Sequence, residues 1–248
     1  MQIGKPGEPV TRISRALPDR VEVRGRDLTG ELMGRLTFTE FFHLLLTGRE
    51  PTEDERFFLD VLLLSIAEHG LMPSNVAARM TLAADPGSVH GAVAAGILGA
   101  GPVVLGAVED CARLLAAGGD ADEIVAAIHA AGGKVPCFGH PLHRPLDPRA
   151  ERILELADER GVSGPHVALA RELREAVARE WGKPLTLNVS LAIAAVLLDL
   201  GYSAGIVKAV PILARTASLL AHLAEEQEQP IGFLLAARAE EGIEYRDG

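Results

Sequence analysis

The residues best suited to chemistry gather in one passage, GGKVPCFGHPLHRPLDPRA, which holds four prolines, two histidines and two arginines. No regular helix survives that many prolines, so the passage is a loop, and loops rich in ionisable groups are where function concentrates. His140 follows Gly139, a residue that permits close backbone approach, and Arg149 stands where the next helix starts. A titratable imidazole beside a guanidinium fork suits an anionic, carboxylate-bearing ligand, although composition alone equally allows a solvated surface loop. His143 and Arg144, set among the prolines, read as structural. His69 ends a long apolar helix, a position that also satisfies an imidazole structurally. Arg215 interrupts the apolar run VPILARTASLLAHLA, and a buried guanidinium needs an anion there, from an internal carboxylate or from a ligand. No phosphate loop, dinucleotide fingerprint, HExxH or GxSxG pattern competes.

The rest of the chain must position these groups. It has 248 residues, of which 48% are hydrophobic, enough for a substantial core and against disorder. Aromatic residues are scarce, with 7 Phe, 2 Tyr and 1 Trp, and the abundance of Ala and Leu favours packed helices over sheets. A mainly α fold is expected. The net charge of −10 and the lack of a dense basic run argue against a nucleic-acid partner. Cys111 and Cys137 are too few for a disulfide framework and lack metal-ligand spacing, so a reducing, cytoplasmic setting and no metal are expected. No apolar run reaches about 18 uninterrupted residues, and no secretion signal is read at the start; a soluble protein without membrane partners is expected.

Residues 1–27 read as an irregular or hairpin-like arm with the alternating pair Val21 and Val23. Helices are predicted from Thr37 to Gly48, from Thr52 to Gly70 with Thr52 and Glu55 at capping-box spacing, and from Asn75 to Ala84. The Ala/Gly-rich stretch from residue 90 to 117 suits closely packed helices broken at Pro102, and another helix starts at Asp120 or Asp122. Further helices are predicted over 149–160, 164–181, 186–200 and 203–226.

Taken in order, these segments resemble the citrate synthase superfamily. LLLTGREPTEDE is similar to that family's LLxGxxPT segment, HGLMPSNVAAR to HxLNASTxAAR, and AVAAGILGAGPVVLGA to the helix and turn carrying GPLHGGA. VPCFGHPLHRPLDPRA resembles the GFGHxVYxxxDPRA loop, LTLNVSLAIAA resembles NVDxxSG, and LARTASLLAHLAEE resembles GRTxGWxAHxxEQ.

The resemblance implies a large helical domain with a reduced small domain inserted near residues 120–215 of a single unit, 28–248. It also implies a homodimer, with its interface placed near residues 90–117, and coenzyme A bound as part of the substrate. Carried over by position, His69, His140, Arg149 and Arg215 hold a polycarboxylate, His140 at its carbonyl or hydroxyl oxygen, with Asn188 beside them. Two positions depart from the family: Val104 stands where an enolate-stabilising His is usual, and Ser190 where the proton-abstracting Asp is usual. Enolising a thioester needs a base and an oxyanion donor, so ordinary citrate formation is not expected. The reading that remains is citryl-CoA lyase-like cleavage of a carboxylated 3-hydroxyacyl-CoA, with His140 as base and His90 or Cys137 as substitutes lining the site. Its alternatives are a noncatalytic or regulatory acyl-CoA or polycarboxylate binder, and altered thioester chemistry on the same scaffold.

Overall fold

Three short strands open the described chain. The computed structural model describes residues 9–101, 105 and 107–247. In it β1 (Ser14–Ala16), β2 (Val21–Val23) and β3 (Arg26–Asp27) form an antiparallel sheet in that order, Ser14 opposite Val23 and Glu22 opposite Asp27. Asp27 then caps a single π turn, Leu28–Leu32, by accepting from the N–H groups of Thr29 and Gly30. In α1 (Phe38–Thr47), Thr37 and Glu40 complete a reciprocal capping box, and Gly48 ends the helix at φ 84°. Val23, Leu32 and Leu44 are buried together, flanked by Val21, Leu28 and Phe41. That cluster ties the hairpin to α1, so the arm groups with the residues up to Asp60, where the chain divides into two compact units.

Helix α2 (Glu53–Ala67) runs across the division. The second unit continues with α3 (Pro73–Ala84), α4 (Val89–Ala100), α5 (Ala107–Ala117), α6 (Ala121–Ala130), α7 (Pro148–Glu159) and α8 (Pro165–Trp181). It ends with α9 (Val189–Asp199), α10 (Ala204–Val207), α11 (Ala209–Glu228) and α12 (Gly232–Glu241). Strand is confined to the first unit apart from an isolated bridge between Phe138 and Leu187, among the described residues, so the fold is mainly α as expected. One group of helices packs α4, α11 and α12 on α3, around Ala78, Leu82, Ala92, Leu219 and Leu223. Gly96 lets α4 approach: a Cβ there would stand 2.6 Å from Leu219 Cδ2. A second group packs α5, α7 and α8 around α9, which is buried from Val189 to Leu198, the mark of a central core helix.

Three boundaries differ from the sequence expectation. The helix predicted from residue 186 begins at Val189, because Leu187 pairs with Phe138 and Asn188 caps the helix by accepting from the Ser190 N–H. The helix predicted over 203–226 is two, α10 and α11, with Pro211, which has no N–H to donate, in the first turn of α11. α12 lies beyond the last helix predicted. The stretch Ala204–Glu228 is long and apolar enough to cross a membrane by length and composition; in this fold it packs on α3 and α4.

Candidate functional site

The loop from Cys137 to Asp147 is held at several points. Gly139 donates its N–H to the Thr186 carbonyl at 2.7 Å, Asn188 donates to the Cys137 carbonyl at 3.1 Å, and the Thr186 hydroxyl donates to the carbonyls of His143 and Pro145. Gly139 has φ 98°, a conformation that favours glycine. At the loop's end Asp147, fully buried, caps α7 through the Arg149 N–H at 3.1 Å. The same carboxylate accepts from Arg149 Nε at 3.0 Å and Nη2 at 2.8 Å, and from the Val189 N–H of α9 at 3.1 Å. Burial pushes the Asp147 carboxyl up, but the bonds from Arg149 outweigh it and hold the group below the ordinary carboxylate range. Asp147 thus aims Arg149 and joins the starts of two helices, whose positive ends favour an anion.

His140 is oriented by its own loop. Its Nδ1 accepts from the backbone N–H groups of Leu142 at 3.1 Å and His143 at 2.9 Å, which leaves the proton on Nε2. Nε2 lies 3.4 Å from Arg149 Nη2, so two donors converge on one space that an oxygen acceptor fits. His69 follows α2 and is placed by Glu68, whose carboxylate accepts from the His69 and Gly70 N–H groups and from the Ser218 hydroxyl. Burial first, then the charges around them, lowers the pKa of both His69 and His140, so both favour the neutral form near pH 7.

Arg215, on α11, is 3% exposed, and its Nε and Nη1 have no hydrogen-bond partner among the described residues. Burial lowers its pKa, with Glu68 opposing and Arg149 adding to that shift. A buried guanidinium with unmatched donors calls for an anion.

His69, His140, Arg149, Asn188, Ser190 and Arg215 line one cavity. Most of the sequence-predicted set is therefore brought together, and among the described residues no carboxylate lines that cavity. Two expectations are corrected. Cys137 does not line it; its sulfur pairs with that of Cys111 on α5, the Cα atoms 6.3 Å apart, a proximity the count of cysteines gave no reason to foresee. His90 sits on the exposed face of α4, away from the cavity, because its helix turns Ala92 and Gly96 inward instead. Val104 lies outside the described residues.

Sequence reasoning missed Asp147 as a site residue, although an Asp before Pro at a helix start is a capping signature. It also missed Glu68, and it read His143 as structural. The His143 ring stacks on that of His140 at 4.4 Å and lies 5.4 Å from that of His69. Each of the three imidazoles can offer a nitrogen within 4.8 Å of the others, a grouping able to ring a metal ion. Arg149 and Arg215 line the cavity with His69 and His140 and add positive charge beside them, and Nδ1 of His140 is committed to the backbone, so the site suits an anion better.

Residues 13–232 match the family described as citrate synthase, C-terminal domain. The chain belongs to the citrate synthase family. It is 30% identical over 201 residues to the citrate synthase of Synechocystis, which covers 77% of this chain and 50% of that protein. The chain spans about half the length of the curated relatives it matches. Among solved structures it is similar to citryl-CoA lyase from Hydrogenobacter thermophilus, at 30% identity and TM-score 0.88, covering 98% of this chain and 96% of that one. ATP citrate lyase from Methanothrix soehngenii, solved with citrate and coenzyme A, shares the fold at 20% identity and TM-score 0.80, over 99% of this chain and 43% of that one. Within this member of the citrate synthase family, then, the loop, the helix starts and the buried arginine meet in one cavity.

Proposed function

We propose that this protein is a citryl-CoA lyase-like enzyme, which cleaves a carboxylated 3-hydroxyacyl-CoA to acetyl-CoA and an oxaloacetate-like 2-oxo acid. The observation that carries this reading is the cavity itself: two guanidiniums, one of them buried with unmatched donors, beside two imidazoles and, among the described residues, no lining carboxylate. The guanidiniums pair with substrate carboxylates, and His140 Nε2–H with Arg149 holds the oxygen that becomes the 2-oxo group. With its Nδ1 occupied, His140 serves as donor to that oxygen, and the role of base expected for it from sequence passes to another group. The end-to-end similarity to a citryl-CoA lyase supports the direction of reaction.

A second cavity shares Gly139 and His140 and brings Arg144 and Lys183, cations suited to the phosphates of coenzyme A. The protein works as a homodimer in this reading; α4 leaves Leu98 80% exposed, and sedimentation at micromolar concentration tests the assembly.

Incubating the purified protein with citryl-CoA and following acetyl-CoA and oxaloacetate by mass spectrometry tests the activity; formation of both products is expected. A noncatalytic polycarboxylate binder is the second reading, favoured by Ser190 in the position of the family's aspartate. Intact citryl-CoA alongside measurable citrate binding would establish that reading instead.

A further inference from the structure

Cleavage moves one proton off the substrate hydroxyl and puts one on the carbon of the departing acetyl fragment. A single base that accepts the first and returns it to the second suffices, so no separate carboxylate is required. His140 is held as a donor, Ser190 offers no base, and no carboxylate lines the cavity among the described residues.

His143 is fixed in a manner that suits the task. Its backbone is pinned on both sides, the N–H to His140 Nδ1 and the carbonyl to the Thr186 hydroxyl, while its ring nitrogens bond to no described residue. The ring is half-buried, stacked on His140 and tilted by 33° against His69, which does line the cavity. One nitrogen of each of the three rings lies within 4.8 Å of the others, a span that a proton can cross through one water.

We propose that His143 is the proton-holding residue of this site and acts through His69. This role rests on the lyase reading above. The hydroxyl O–H bond breaks as a new N–H bond forms on His69, which releases its other ring proton to His143. The oxygen's electron pair then forms the C=O bond while the carbon–carbon bond breaks, its pair passing to the acetyl enolate. The proton returns by the same route to form the C–H bond of acetyl-CoA, so no oxidant or further reactant is consumed.

The charged groups around the cluster fit a single shared proton. Arg149 and Arg215 oppose a second, Asp147 and Glu68 are already held by other donors, and Arg144 is turned to the His140 carbonyl.

Two measurements test the role of His143. Calorimetric titration should show that citrate binds H143Q as it binds the wild type, because His143 does not line the cavity. Citrate affinity should change only a few-fold, which also confirms that the variant is folded. The wild-type cleavage rate should rise with pH as the base loses its proton; in H143Q and H143N it should fall about 100-fold, lose that rise, and recover in part with added imidazole. Cleavage by both variants at the wild-type rate with the wild-type pH profile overturns the assignment to His143 alone. A wild type that binds citrate without cleaving citryl-CoA overturns the lyase reading and this role with it.

Discussion

Asp147 and Arg149, two residues apart across Pro148, form a two-point ion pair at 3.0 and 2.8 Å in which the carboxylate is wholly buried and the guanidinium faces the cavity. The same carboxylate caps α7 and reaches the Val189 N–H of α9, so one side chain sets the position of a cavity-lining cation and of Asn188 and Ser190 on either side of Val189.

Replacing Asp147 should therefore damage both stability and binding. Asp147→Asn removes the charge but keeps the shape, leaving Arg149 without its counter-ion in a half-buried setting; a loss of about 3 kcal/mol of unfolding free energy is expected, measured by denaturant titration. Because the carboxyl sits below its ordinary range, its contribution is present at neutral pH and is lost only as the pH falls through that lowered value. Wild-type stability in Asp147→Asn would show that the pair adds nothing.

Arg215 and Arg149 should carry most of the affinity for a polycarboxylate. Arg215→Lys keeps the charge but loses the fork, and should weaken citrate binding by about 1 to 3 kcal/mol in calorimetry. Arg215→Met, which fills similar space without the unmatched donors, should raise the melting temperature of the free protein while abolishing the stabilisation by citrate. Unchanged affinity in both Arg149→Ala and Arg215→Ala would remove the anion site.

Acid should destabilise the ligand-free protein. His69 and His140 have pKa values below the ordinary one in the fold, whereas the unfolded chain titrates near about 6.5, so the unfolded state binds more protons in the interval. Stability then declines as the pH drops from 7.5 through 6.5, and the decline should be smaller in His69→Gln than in the wild type, read as the change in melting temperature. An equal decline in the two proteins would separate His69 from the effect.

The pairing of Cys111 with Cys137 closes a loop across 26 positions of sequence and anchors the start of the His140 loop to α5. Intact-mass analysis without reductant should find the protein lighter by two hydrogens, and reduction should lower stability by about 3 kcal/mol, the scale of closing such a loop. Free thiols in unreduced protein would disprove the bond. Cys137 also stands at φ 66°, so Cys137→Gly relieves a left-handed backbone while removing the bond, and should lose less stability than Cys111→Ala.

Much of this fold was legible in local signals. Capping residues such as Thr52 with Glu55, prolines at helix starts, glycines at helix ends and the absence of aromatic and β-branched runs depend on neighbours within a turn, and they marked most helices correctly. The loop was legible for the same reason, since four prolines forbid a helix whatever surrounds them. His140, Arg149 and Arg215 stood out because a cation or imidazole in those settings needs a partner.

Tertiary structure alone decided what those residues share. Arg215 and His69 lie 146 positions apart in sequence, and nothing local says that α11 and the end of α2 line one cavity or that the Glu68 carboxylate acts on the Arg215 guanidinium. His143 gives no sign among its prolines, because its value lies in two other rings delivered by the folded loop and by another helix end. The state of His140 was equally hidden: whether its Nδ1 accepts or donates is fixed by two backbone N–H groups whose direction only the turn at Leu142 and His143 determines. Side-chain type and spacing tell which groups need partners, whereas packing settles which partners they find.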